Sequence, residues 1–373
     1  MTTRPAKKTL INLLEKFAPK YLAVEGDNPG LQLGSVNDKV SKCLVALDPS
    51  KQVIEQAIKM KAELIITHHP LFMPPLHVVT DEKIGDVTKR AIKNDISIYT
   101  SHTNLDAALE IGVNHALLET LNINLIDERP LTTTYKEKYS KIVVFMPQGY
   151  EDEVRTALSS AGAGSLGHYC DVSFQSQGIG TFKPLAGTDP FIGEQGRISR
   201  TEEVKLETIV PNSKINQVIQ EMRAVHPYEE PAYDIYQLEY PDKKYGIGLV
   251  GELSSPIRSE TLIETIEQRL HTQVRLAGPR PENINSVAVC GGSGGKMVEK
   301  ALKLGVDAFI TGDIKYHDAL RAEQEGLFLI DAGHRETELP VVDKVTKFLD
   351  EQLSDDYNLE IKSFHNDEYV FYR

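Results

Sequence analysis

Short apolar runs that end in polar, metal-competent residues set the strongest limit on how this chain folds. Residues 42–47 (KCLVAL), 63–67 (ELIIT) and 96–100 (ISIYT) read as buried strands. Residues 50–61 and 84–94 lie between them and read as helices, the first with Val53, Ile54 and Ala57 on one face. A further helix is expected over 107–121. Strands alternating with helices imply a largely parallel sheet covered on both sides, and such sheets place their sites at the carboxyl ends of the strands. The last third repeats the style. Residues 286–290 (SVAVC) are followed by the loop GGSGG and a helix over 296–304. Strands at 307–311 (DAFIT) and 327–331 (LFLID) alternate with helices over 318–325 and 339–353.

The middle differs. Strands are expected at 141–146, 204–210 and 234–240, and helices at 151–161 and 212–224. Between residues 162 and 200 glycine is frequent and helical periodicity is absent. A β-α-β…β-α-β order points to a ferredoxin-like unit. It is placed at 128–245, inserted between halves 1–127 and 246–373 of one α/β core. The ends of such a unit lie close together, so the core tolerates the interruption.

The formal net charge of −13 disfavours a broad nucleic-acid or membrane-surface role, since both need a basic face. No run of about 18 apolar residues is present, so no membrane-spanning helix is expected. The first 17 residues read as an amphipathic helix through Leu10, Leu14 and Phe17, without the long apolar stretch of a targeting segment. Cys43, Cys170 and Cys290 are far apart and form no CxxC pair. Three scattered thiols fit a reducing cytosol, and any metal must rest on imidazole and carboxylate.

Three segments offer such groups, each after a buried strand. His68 and His69 follow residues 63–67, and neighbours on an extended backbone point to opposite sides. They can serve two ions, one ion and a substrate, or be an ordinary histidine pair. His102 and Asp106 follow residues 96–100 and share a face if the turn is helical, although Asp106 also reads as a helix N-cap. His334 and Glu338 follow residues 327–331 four apart, a spacing suited to one metal site. Against this, Pro340 signals a helix start nearby, where Thr337 would cap and Glu338 would favour the helix dipole. Nitrogen and oxygen donors without thiolate suit Zn, Fe, Mn or Co. A fourth segment places Asp313, Lys315 and His317 after residues 307–311, as substrate contacts and proton donors or as a polar loop. The GGSGG loop at 291–295 lacks the spacing of a nucleotide-binding loop and reads as a tight strand-to-helix turn. Asn28, in a turn-rich stretch, and the rigid HPYEEP loop at 226–231 complete the candidates.

Taken in order, GDNPGLQLG, ITHHPLF, SHTNLDAA, GGSGG, TGDIKYHDAL and DAGHRETE make the chain resemble the YqfO/YbgI-type dinuclear-metal family, whose members are often labelled GTP cyclohydrolase 1 type 2 homologues. HPYEEPAYD at 226–234 is similar to the signature of CutA proteins, as in the long form of that family with a PII/CutA-like insert. The resemblance implies a two-lobed α/β core with a metal cleft, and a toroidal homohexamer with the inserts as trimeric caps. It implies two divalent ions per chain (Zn, Fe or Mn), one held by His68, Asp106 and Glu338, the other by His69, His334 and the same Glu338. His102 would be a further ligand or a proton shuttle. The function expected is metal-dependent hydrolysis of a nucleotide or another small phosphorylated or cyclic compound, with His102 or His317 handling protons. The alternative is a non-enzymatic metal-delivery or regulatory protein.

Overall fold

The computed structural model describes residues 3–80 and 83–365. The chain divides into two compact units, Met1–Tyr135 with Lys244–Arg373, and Lys136–Lys243. The divisions fall inside the strands Leu125–Pro147 and Tyr233–Arg258.

The first unit contains two sheet regions. One has the order Gly30–Leu33, Ser97–Thr100, Leu64–Thr67, Lys42–Ala46 and Glu360–Phe364. All neighbours run parallel except Gly30–Leu33, which is antiparallel to Ser97–Thr100. Side chains alternate between faces along each strand. Val45, Leu64, Ile66 and Tyr99 therefore pack on Leu10 and Leu14 of the helix Lys7–Phe17 and on Val341, Val345 and Leu349 of the helix Pro340–Leu353. Leu44, Ile65 and Ile98 pack the opposite way, on Ile54 and Ala57 of the helix Lys51–Met60 and on Ala91 of the helix Lys83–Lys93. Burial on both faces explains why the strands read as unbroken apolar runs. Each fully buried Leu or Ile contributes roughly 1.5–3 kcal/mol, and a slip of one residue would turn each of these side chains onto the wrong layer.

In the other region Asn283–Ser293, Ala308–Gly312 and Phe328–Asp331 run parallel, with Arg275–Ala277 antiparallel at the edge beside Phe328–Asp331. Val287, Val289, Ile310 and Ile330 face Leu262 and Ile266 of the helix Ser259–Leu270. Ala288, Phe309 and Leu329 face Val298, Ala301 and Ala322.

The second unit has the chain order strand, helix Glu151–Ser160, strand Phe174–Phe182, strand Ser199–Pro211, helix Ile215–Val225, strand. In the sheet the second strand lies at the edge, then the third, the first and the fourth. That is the antiparallel ferredoxin-like topology, with Val154, Leu158, Val218 and Met222 of the helices packed on Val144, Met146 and Leu206. The strand Phe174–Phe182 lies in the glycine-rich stretch that carries no periodic signal.

Two other segments differ from the sequence reading. The helix expected over 107–121 forms only over Val113–Thr120, with Gly112 at its N-cap, and the short helix Thr103–Asp106 precedes the expected span. A Cβ on Gly112 would lie 2.1 Å from the Ala108 carbonyl oxygen, so the connection closes there. The strand Asn283–Ser293 continues into the glycine loop instead of ending at Cys290, with a register shift between Val289 and Ser293.

Candidate metal centre

The strands Leu64–Thr67 and Ser97–Thr100 are neighbours in their sheet and end together, Thr67 beside Thr100. The residues that follow them, His68, His69, His102 and Asp106, therefore emerge at one edge. His334 and Glu338 lie on the short helix His334–Glu338 that follows Phe328–Asp331. That helix begins at His334 itself, so the spacing of four brings both side chains onto one face, with Glu338 Oε2 3.1 Å from His334 Nε2. The possibility of a helix starting only after His334 is thereby removed. Pro340 instead opens the separate helix Pro340–Leu353.

These groups converge. Glu338 Oε2 is also 3.1 Å from His69 Nε2, and Glu338 Oε1 is 3.6 Å from His68 Nε2. His68 Nε2 is 3.6 Å from Asp106 Oδ1. The ring of His102 lies 5.2 Å from that of His68 and 5.7 Å from that of His69. Two sets of ligand-type atoms gather here: His68, His69 and His102, and His69, His334 and Glu338. His68 is 2% exposed and Glu338 4%, whereas His69, His102 and His334 are half-buried.

Every one of the four imidazoles is fixed through its Nδ1. His69 Nδ1 lies 2.7 Å from Asp48 Oδ1, His102 Nδ1 2.7 Å from Asp27 Oδ1, and His334 Nδ1 2.7 Å from Asp313 Oδ2. His68 Nδ1 lies 3.1 Å from the Ser101 carbonyl oxygen. Ionised carboxylates and carbonyls only accept, so in each ring Nδ1 donates, and whenever the ring is neutral the Nε2 lone pair is turned to the centre. Metal-binding histidines are held in this way. Asp27 further accepts the Thr103 N–H at 3.0 Å and the Thr103 hydroxyl.

The centre itself carries buried atoms that make no hydrogen bond: His68 Nε2, Asp106 Oδ1 and Glu338 Oε2. Leaving such groups unpaired costs about 1–3 kcal/mol each, more when charged. Two donors each about 2.1 Å from a common ion stand about 3.0 Å apart at a right angle and about 3.4 Å apart at a tetrahedral angle. The observed 3.1 and 3.6 Å separations match that spacing. The residues thus fit a divalent cation by donor type, distance and unmet valence, and these His and Glu groups could hold a metal ion.

Electrostatics agree. Burial alone would keep His69 neutral, but the Asp48 and Glu338 carboxylates push its pKa up to about 10. Glu338, against the opposing effect of burial, lifts His334 to about 9 with help from Asp313. His68 also rises, because Asp106 and Glu338 outweigh burial. Burial and the Glu338 charge hold Asp106 up at about 6, against the pull of His68. Burial opposes ionisation of Glu338, yet His334 and His68 keep its pKa well below the carboxylate range. The site demands positive charge, from protons or from metal.

The glycine loop walls one side. Gly292 has φ +71°, and a Cβ there would sit 2.1 Å from Glu338 Oε1. The backbone passes this close only because the residue is glycine.

His317 is not gathered into the cluster. It lies exposed in the first turn of the helix Tyr316–Glu325, its ring 5.3 Å from that of Tyr316. The physical reason is the start of that helix at Tyr316, earlier than expected: Asp318 accepts the Lys315 N–H as the third helical residue instead of serving as N-cap. Asn28 bonds to Gln32 and the Phe72 carbonyl, which gives it a turn-holding position. In the other unit, His226 donates to the Phe145 carbonyl and accepts the Tyr228 N–H, so that loop is internally bonded. Sequence reasoning did not find Asp48 or the role of Asp27. Asp48 follows from the sheet register: parallel pairing of Ala46 with Thr67 carries Asp48 and His69 out of the sheet in step.

A two-lobed α/β fold with a histidine–carboxylate cluster at strand carboxyl ends defines a class of candidate metal proteins. The chain belongs to the Duf34/NIF3 (NGG1p interacting factor 3) family, whose profile matches residues 5–368. A GTP cyclohydrolase 1 type 2 homolog of Halalkalibacterium halodurans is 40% identical over 371 residues, covering 98% of each chain. One of Bacillus subtilis is 41% identical over 327 residues, 87% of each. The crystal structure of a Bacillus cereus protein related to NIF3 superposes with a TM-score of 0.88 at 38% identity, covering both chains completely. Among the described residues no helix is long and apolar enough to cross a membrane.

Proposed function

We propose that this cluster holds two divalent ions, one on His68, Asp106 and Glu338 and one on His69, His334 and the same Glu338, and that the protein is a metal-dependent hydrolase of a nucleotide or another small phosphorylated or cyclic compound. The supporting observation is the trio of buried atoms, His68 Nε2, Asp106 Oδ1 and Glu338 Oε2, that no protein group satisfies. When bound, the ions supply Lewis acidity toward water and toward a phosphoryl or carbonyl oxygen. The chain's own groups do the rest. Asp27 accepts the hydrogen bond from the His102 Nδ1–H and holds the ring, leaving Nε2 free beside His68 and His69 to accept a proton from attacking water and return it to the leaving group. Burial pushes up the Asp106 pKa, so this carboxylate favours a cation over solvent.

The names of the relatives make GTP the first compound to try. The test pairs elemental analysis with a hydrolysis screen on Zn-, Mn- and Fe-loaded protein, beside His69→Ala and Glu338→Gln. About two ions per chain and turnover that falls in both variants are expected. Loaded protein that cleaves no nucleotide, phosphoester or cyclic amide refutes the hydrolase. Protein that takes up no ion refutes the whole reading.

A further inference from the structure

We infer that Arg275 and Asp331 form a positioning pair that sets the orientation of His334, and hence the hold on the ion that His334 contacts. This rests on the metal reading above.

Asp331 ends the strand Phe328–Asp331, and its carboxylate is buried. One oxygen accepts the Gly333 N–H at 3.1 Å. The other accepts the Ile314 N–H at 3.2 Å and the Arg275 guanidinium. Arg275 is the antiparallel register partner of Asp331 and also donates to the Ile314 carbonyl at 3.2 Å. Both backbone groups of Ile314 are therefore held by the pair. Ile314 follows Asp313, and Gly333 precedes His334. The two residues of the Asp313–His334 bond thus each sit one position from a backbone group that Asp331 grips. Asp313 has φ +57°, a conformation a non-glycine residue keeps only when its surroundings impose it. Gly312 packs on the Gly333–His334 backbone, where a Cβ would lie 2.5 Å from the His334 nitrogen, so the two turns are in direct contact.

The plain alternative is an edge-strand ion pair. The Arg275 side chain is 72% exposed, and pairs at such sites add little stability. A pair that only tied down the edge strand would not touch both turns of the His334 support. Arginine suits the role because a single guanidinium nitrogen, Nη2, carries two N–H donors held in one plane and serves the carboxylate and the carbonyl together, which a lysine ammonium does with less geometric control.

The experiment uses the full chain, titrated with Co(II), whose visible spectrum reports coordination. Arg275→Met is expected to weaken one of two Co(II) ions about tenfold, the low end for loss of an outer partner, to change the spectrum of that ion, and to leave the melting temperature of the metal-free protein unaltered. Arg275→Lys should recover part of the affinity. Glu338→Gln runs beside them. If Glu338→Gln loses Co(II) while Arg275→Met binds both ions like the parent, the positioning role is overturned. It is equally overturned if Arg275→Met weakens both ions alike and lowers the melting temperature, the mark of a general structural loss. If Glu338→Gln retains both ions, the metal reading itself fails.

Discussion

Filling the cluster with metal should expel protons, and the number follows from the ligands. With pKa values raised to about 10 and about 9, His69 and His334 are almost fully protonated at pH 7.5 in the metal-free protein. A metal ligand must be neutral imidazole, so the ion bound by these two residues displaces about two protons. Each displaced proton makes apparent affinity climb about tenfold per pH unit, so two give about 100-fold per unit below pH 9. The slope should halve near 9 and vanish above 10. Calorimetric titration with Zn(II) in buffers of different ionisation enthalpy counts the protons, and chelator competition at pH 7 and 8 gives the slope. His69→Ala should reduce the count by one. Stability moves oppositely in the metal-free protein. Both folded pKa values lie above the unfolded value near 6.5, so the protonated histidines contribute fully below that pH and lose their contribution as pH rises through 9 to 10. Its melting temperature should fall over that window while the loaded protein holds. Binding without proton release, at an affinity flat from pH 7 to 8, would refute the reasoning.

Three other perturbations have expected outcomes. Asp27→Asn removes the anion that holds His102 Nδ1, and turnover measured on the loaded protein should drop about 100-fold while metal content stays the same. Gly292→Ala places a methyl 2.1 Å from Glu338 Oε1 at φ +71°; it should cost more than about 1 kcal/mol in a denaturant melt and reduce bound metal. Leu14→Ala opens space in the helix–sheet core that packs beneath His68, and should cost about 2–5 kcal/mol by the same melt.

How much of this was legible in the sequence follows from what each feature depends on. The buried parallel strands announce themselves because burial on both faces demands an unbroken apolar run, as in ELIIT and DAFIT. His68, His69, His334 and Glu338 stand out because their relations are local: adjacency after a strand, or one helical turn. The strand Phe174–Phe182 was invisible because it is an edge strand, mostly exposed, with Gly178 and Gly180 in place of apolar side chains. Asp27 and Asp48 act across 75 and 21 residues of chain. Nothing near either residue encodes that partner; it appears only when sheet order is known. His317 shows the converse, for proximity in sequence to Asp313 does not carry it into the cluster once the helix begins at Tyr316.

The strand Glu360–Phe364 lies parallel to Lys42–Ala46 at the end of the first sheet, and this has a consequence for biosynthesis. Both that neighbour and Glu338 are synthesised long after Lys42–Ala46. Until then the nascent amino-terminal lobe presents Lys42–Ala46 as a bare, apolar edge and carries three imidazoles with no shared carboxylate. Bare edges of this kind recruit other strands. Premature termination anywhere before residue 338 would therefore release a fragment that is prone to aggregate and lacks the carboxylate that both proposed ions share, and its persistence in cells would depend on chaperones or proteases acting first.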